Sequence, residues 1–206
     1  MNGYQRTMAA IEGRQPDTPP IMLHNFMLAA RETGVTMQEF RTTPKTVARA
    51  FIYSVEKYQY DGILVDIDTA TLAGALGVPV DFPENEPARC IAGRLDSLEQ
   101  VADLPPPDVC RYWGVEVWLE AVRNLREYFG EEILIRGNCD QCPFSLASMI
   151  RGAADWMMDL TEPEKRDLVF KLLDYCLGIT TQFVGLMVEA GAHLVSNGDS
   201  PAGPEM

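Results

Sequence analysis

A parallel α/β fold of the (β/α)8-barrel type is the class the 206-residue sequence predicts: the N-terminal half, about four βα units, with a hairpin-like insertion after the second strand. Three observations carry this reading. Short apolar runs alternate four times with long helical stripes, the order that builds a parallel sheet wrapped by helices. The apolar runs finish in polar residues, and barrel enzymes keep their chemistry at the C-terminal ends of strands. An open doubly wound sheet would show a glycine-rich phosphate loop after its first strand, whereas Phe26-Met27-Leu28-Ala29-Ala30 contains no glycine.

Tyr4, Met8 and Ile11 recur at helical spacing before Gly13, which predicts a short amphipathic helix with a glycine cap. Pro20 to Phe26 is the first strand candidate. Thr43 before Pro44 opens a helix whose Val47, Phe51, Val55 and Tyr58 repeat up to Asp61-Gly62. The run Gly62-Ile63-Leu64-Val65 is the second strand, followed by a short helix over Thr69 to Leu76 that Gly77 ends. From Val78 to Asp108 the chain is proline-rich, including Pro105-Pro106-Pro107. Within it Val78-Pro79-Val80-Asp81-Phe82 and Arg89-Cys90-Ile91-Ala92 are expected to pair as the hairpin of an inserted lid or flap. Val115, Trp118, Leu119, Val122, Leu125 and Phe129 mark a long helix closed by Gly130, leading to a third strand over Glu132 to Asn138. Brief helices follow over Phe144 to Ile150 and Ala154 to Leu160. Thr161 with Glu164 is a capping-box pattern for the longest stripe, Leu168, Leu172, Cys176, Ile179, Phe183, Leu186 and Ala190. Gly191 ends it, and Ala192 to Asp199 is the fourth strand.

The candidate chemistry sits at the strand tips. Asp66 and Asp68, two residues apart, share one side of the second strand, where they can handle protons or bind cations as catalytic groups, or cap the following turn and helix. His24, Asn25, Asn138 and Asp199 stand at the ends of the other three strands and are the candidate substrate-binding residues. Cys139-Asp140-Gln141-Cys142 has C-x-x-C spacing but no second pair to complete a zinc ribbon, so thiols near a strand end are the plainer reading.

The 30 acidic and 17 basic residues give a formal net charge of -13, and no run of Lys or Arg exceeds two, which argues against nucleic acid and anionic membrane as partners. The N-terminus lacks an apolar signal core and no apolar run reaches membrane-spanning length, so a cytoplasmic protein with free thiols is expected. Eight βα units take about 250 residues. The whole of residues 1–206 is therefore expected to be one partial barrel domain lacking its C-terminal half, completed by further chain or by a partner chain.

Four stretches in order resemble the uroporphyrinogen decarboxylase superfamily: Ile11-Glu12-Gly13-Arg14-Gln15-Pro16-Asp17-Thr18-Pro19-Pro20, Asp61-Gly62 through Asp68 with Ala75-Leu76-Gly77, Pro143-Phe144-Ser145-Leu146-Ala147 with Arg151-Gly152, and Glu189-Ala190-Gly191-Ala192. That superfamily has the (β/α)8 fold. It includes the decarboxylase of haem synthesis and zinc-dependent methyltransferases that move methyl groups from corrinoids to thiols such as coenzyme M. The resemblance implies for Asp68 the place of the aspartate that contacts the substrate's pyrrole nitrogens. It also exposes departures. The arginine-bearing R-Q-A-G-R stretch that holds substrate carboxylates is replaced by His24 to Glu32, with Arg31 alone, and Met149 stands nearest to the decarboxylases' tyrosine. These departures favour corrinoid-linked methyl transfer to a thiol, with methylcobalamin as donor and a small molecule or corrinoid protein as partner. Porphyrinogen decarboxylation, which needs no cofactor, and a non-catalytic subunit that completes a barrel with another chain are the alternatives, and a homo-oligomer is compatible with each. The resemblance puts the methyltransferases' zinc ligands, a His-x-Cys pair and a later Cys, in the second half of the barrel, so zinc is expected through ligands beyond Met206; in residues 1–206 no metal ligand is assigned, and His24 and Cys139 are only minor candidates.

Overall fold

The computed structural model describes residues 1–106 and 108–202; Pro107 of the proline triplet and residues 203–206 lie outside the described residues. In chain order the elements are α1 (Gly3–Ile11), β1 (Met22–Leu23), α2 (Phe26–Glu32), α3 (Met37–Thr42), α4 (Pro44–Tyr58), β2 (Gly62–Val65), α5 (Thr71–Ala75), β3 (Val80–Asp81), β4 (Arg89–Cys90), α6 (Trp113–Phe129), β5 (Leu134–Cys139), α7 (Pro143–Arg151), α8 (Ala153–Asp159), α9 (Arg166–Glu189) and β6 (Leu194–Asn197). Strands β1, β2, β5 and β6 form one sheet in that order, and its three pairings are all parallel. The sheet is the wall of a partial (β/α)8-type barrel. Strands β3 and β4 form the expected antiparallel hairpin, Val80 facing Cys90 and Asp81 facing Arg89.

The alternation of β2 separates two faces. Ile63, Val65 and Ile67 turn outward into the core shared with the helices, and Ile135 and Cys139 of β5 do the same. A Cβ on Gly137 would stand 3.2 Å from Met187 of α9, which explains a glycine on this outer face. The inner face takes the other parity: Met22 and His24, then Leu64, Asp66 and Asp68, then Leu134, Arg136, Asn138 and Asp140, then Leu194 and Ser196. A hydrogen bond from Arg136 Nε to Ser196 Oγ at 2.7 Å confirms that β5 and β6 point these residues the same way. The helices pack as their stripes require, with Val115, Trp118, Leu119, Val122, Leu125 and Phe129 all buried in α6.

Several expectations are corrected. The first strand is short, Met22–Leu23, because Asn25 already stands at the N-cap position of α2 and Phe26 is helical. In α1 the buried side chains are Thr7 and Ala9, and Ile11 is exposed, since the helix lies with its small-residue edge against the strands. Helix α4 ends at Gln59 in a left-handed conformation (φ 56°), before Asp61-Gly62. Thr161 does not cap α9: its hydroxyl donates to the Met158 carbonyl at 2.8 Å in the turn closing α8, and a 3-10 turn over Pro163–Lys165 intervenes. With that turn, α9 spans Pro163–Glu189 and is long and apolar enough to cross a membrane by length and composition; one face, including Leu172, Cys176, Ile179, Phe183 and Met187, is buried on the sheet.

The insertion is pinned rather than free. Arg41 of α3, wholly buried, donates to the carbonyls of Pro83 (2.9 Å) and Glu86 (2.5 Å) and lies over the Phe82 ring. The Arg94 and Leu95 amides both donate to the Ile150 carbonyl, and Gly93 approaches so closely that a Cβ there would lie 2.6 Å from the Arg151 backbone. The excursion is a fixed wall beside the strand tips.

Candidate functional site at the strand tips

Three neighbouring strands deliver the polar centre. β2 carries Asp66 to the end of the inner face with 1% exposure. From β1, His24 Nε2 lies 3.0 Å from Asp66 Oδ2, and from β5 Asn138 Nδ2 donates to that oxygen at 3.0 Å. Asp66 Oδ1 is buried and has no hydrogen-bond partner among the described residues. Asp140, one inner-face step beyond Asn138, brings a carboxylate to the same place: ligand atoms of His24, Asp66 and Asp140 all lie within 4.8 Å of one another. His24 and Asp140 face solvent, so the centre has a buried floor and an open mouth.

Burial pushes the Asp66 carboxyl up from the usual carboxylate range, against the pull of its bonds to His24 and Asn138. The bond to Asp66 pushes the His24 imidazolium up in turn, and burial opposes it only in part. The pair therefore keeps a proton to higher pH than a free imidazole would.

The remaining candidates serve the loops around this centre. Asp68 shares the inner side and is buried, which pushes its carboxyl up. Both its oxygens are engaged locally, Oδ1 by the Ala70 amide (2.7 Å) and Oδ2 by the Thr71 hydroxyl (2.8 Å), so its geometry is that of a turn cap before α5. Asn25 turns away from the inner face and donates to Ser54 Oγ (2.9 Å) and the Tyr60 hydroxyl (3.3 Å). Asp199, beyond β6, reaches the start of α7 and accepts from the Phe144 and Ser145 amides at 2.8 and 2.7 Å. The structure thus brings His24, Asp66 and Asn138 together and holds Asp68, Asn25 and Asp199 in separate contacts.

Sequence reasoning missed Asp140 and Gln141, both inside the C-x-x-C stretch. Extending the alternation Arg136, Asn138 by one step points to Asp140. Gln141 accepts from the Leu72 and Ala73 amides, capping α5 from across the sheet, a pairing that no local pattern signals. The thiols are inert: Cys139 faces the helices, where burial pushes its pKa far up, and Cys142 donates to the Cys139 carbonyl.

Comparisons with known proteins agree with this architecture. The sequence is 24% identical over 206 residues to the methylcobamide:CoM methyltransferase MtaA of Methanosarcina barkeri, covering 98% of this chain and 59% of that protein. It is 31% identical over 183 residues to the uroporphyrinogen decarboxylase of Streptomyces avermitilis, covering 85% of this chain and 49% of the relative. The chain thus spans about half to three fifths of the length of these curated relatives. In fold it matches a methyltransferase from Methanosarcina mazei with a TM-score of 0.83 at 22% identity, over 95% of this chain and 58% of that one. The profile of uroporphyrinogen decarboxylase (URO-D) matches residues 2–204, so the chain belongs to that family of enzymes.

Proposed function

We propose that this chain forms the N-terminal half of a barrel enzyme of corrinoid-linked methyl transfer to a thiol. One observation carries the choice within the family: the mouth of the inner face is acidic. His24, Asp66, Asn138 and Asp140 meet there, Arg136 is bonded to Ser196, and the exposed Arg31 lies apart with Met27 and Leu28. A substrate bearing many carboxylates needs a cluster of guanidinium groups, and among the described residues this mouth does not gather one. Similarity to a methylcobamide:CoM methyltransferase over 98% of the chain supports the same choice.

A methylated corrinoid, when bound, supplies the methyl group. The residues of this chain prepare the acceptor. His24, whose Nε2 is held by Asp66, takes the proton of a thiol at the open mouth on its other ring nitrogen, Nδ1, since the thiolate is the nucleophile, and Asn138 fixes the Asp66 carboxylate in that orientation. The unpartnered Asp66 Oδ1 is the polar atom on the buried floor that a ligand would engage. Asp68, Asn25 and Asp199 act by positioning the loops that carry this set. A zinc held by thiolates finds no ligand set among the described residues, where the cluster able to hold an ion, His24, Asp66 and Asp140, contains no cysteine.

Methylcobalamin demethylation by the intact gene product, followed spectrally with coenzyme M and other thiols, tests the reading. Thiol-dependent demethylation that falls at least tenfold in His24→Gln is expected; none with any thiol would overturn it. A second reading, porphyrinogen decarboxylation through Asp68, is favoured by the 31% identity to a decarboxylase. Asp68→Ala leaving decarboxylation unchanged rules out that role.

A further inference from the structure

We propose that His24, Asp66 and Asp140 form a binding site for a divalent transition-metal ion with nitrogen and oxygen ligands, independent of any thiolate zinc centre. The three residues come from the ends of adjacent strands, and their ligand atoms all lie within 4.8 Å of one another. For bonds of about 2.1 Å, ligand atoms at right angles stand about 3.0 Å apart, and tetrahedral ones about 3.4 Å. His24 Nε2 and Asp66 Oδ2 are already 3.0 Å apart. Only Asp140, exposed and in a loop, needs to close on them.

A second observation points to a ligand in its own right. Asp66 is 1% exposed, yet its Oδ1 has no partner among the described residues, and a buried carboxylate oxygen left unpaired is costly unless a cation or donor engages it. Asn138 supplies the outer contact that orients a ligating carboxylate. Gly198 makes room: a Cβ there would lie 3.2 Å from Asp140 Oδ1, so the glycine leaves that carboxylate free to turn.

The donor set selects the class of ion. One neutral imidazole and two carboxylates carry two negative charges, which neutralise a divalent ion. They are borderline to hard ligands suited to zinc, manganese, iron(II) or cobalt(II). Three protein ligands on one side leave open positions toward the mouth, the arrangement in which an ion polarises or orients a bound molecule.

The test is calorimetric titration of the metal-free protein with zinc chloride and manganese chloride, with cobalt(II) absorption as a second readout. We expect one equivalent to bind, at least tenfold weaker in His24→Gln and in Asp140→Ala, and unchanged in a Cys139→Ser/Cys142→Ser double variant. Cobalt(II) should show d–d bands without a thiolate charge-transfer band. Asp140 is on the surface, so its variant does not put folding at issue. Absence of binding by either ion, binding indifferent to His24→Gln and Asp140→Ala, or a charge-transfer band lost in the double variant each overturns the site. Metal binding without methyl transfer would leave this inference standing while removing the proposed function, and the converse result would do the reverse.

Discussion

Asp66 and Asp68 are two residues apart on one strand, yet their surroundings give them different work. Asp66 is aimed at partners from other strands, whereas Asp68 satisfies the backbone immediately after it. Replacing Asp68 by Ala strands the buried Ala70 amide and should cost about 1–3 kcal/mol, read as a lower urea midpoint with an unchanged slope. Asn keeps one acceptor oxygen, and burial already disfavours the charge, so Asp68→Asn should lose less than half of that. Equal losses in the two variants contradict the capping role. At the opposite end of the sheet, His193 Nδ1 accepts the Ile135 amide at 2.9 Å, and its other nitrogen lies against Arg126. Burial first, then that guanidinium, lowers its pKa from 6.5 to about 4. The unfolded state therefore takes up this proton first, so the contribution of His193 is complete above pH 6.5 and is lost as pH falls toward 4. Imidazole NMR should place the midpoint near 4, and His193→Gln should flatten the acid limb of stability; titration near 6.5 contradicts the packing.

The elements around the mouth are tied by caps that cross from one βα unit to the previous one. Gln141, after β5, closes the start of α5, and Asp199, after β6, closes the start of α7. Each helix N-terminus exposes unpaired amides and partial positive charge, so Asp199 satisfies both hydrogen bonding and electrostatics. Asp199→Ala should cost about 1–2 kcal/mol and speed hydrogen exchange at the Phe144 and Ser145 amides, leaving Leu72 and Ala73 protected. Uniform acceleration across both helices argues against separate caps. What the sequence reveals stops at this point. The α6 stripe is legible because apolar residues at helical spacing require a buried face, and the strand tips are legible because each apolar run ends in polar residues. The Asp199 and Gln141 contacts join residues 54 and 69 positions apart, and nothing in either local stretch encodes the partner. The 161–164 capping pattern misleads for a related reason: the turn after α8 claims the Thr161 hydroxyl before α9 can use it.

At the scale of the molecule, four parallel strands present an inner face lined by Leu64 and Leu134 below and by the His24, Asp66 and Asp140 centre above. In a closed barrel that face is filled by layers of side chains from all the strands, and no strand edge is free. Here β1 and β6 are the outer strands of the sheet, and Leu194 on the inner face of β6 is 37% exposed. Unpaired edge amides and carbonyls beside exposed apolar side chains template pairing with another chain. The half-barrel reading, drawn from the count of βα units, thus has a physical consequence that can be measured. The 206-residue chain expressed by itself should associate with increasing concentration, and light scattering should report a mass above 22.9 kDa at micromolar concentration. A polypeptide supplying the remaining βα units should suppress that association and protect the β1 and β6 amides from exchange, because pairing at both edges removes the surface that drives it. A monodisperse monomer with already protected edge strands would show that the inner face is stable uncovered, and would remove the need for further βα units or a partner to complete the barrel.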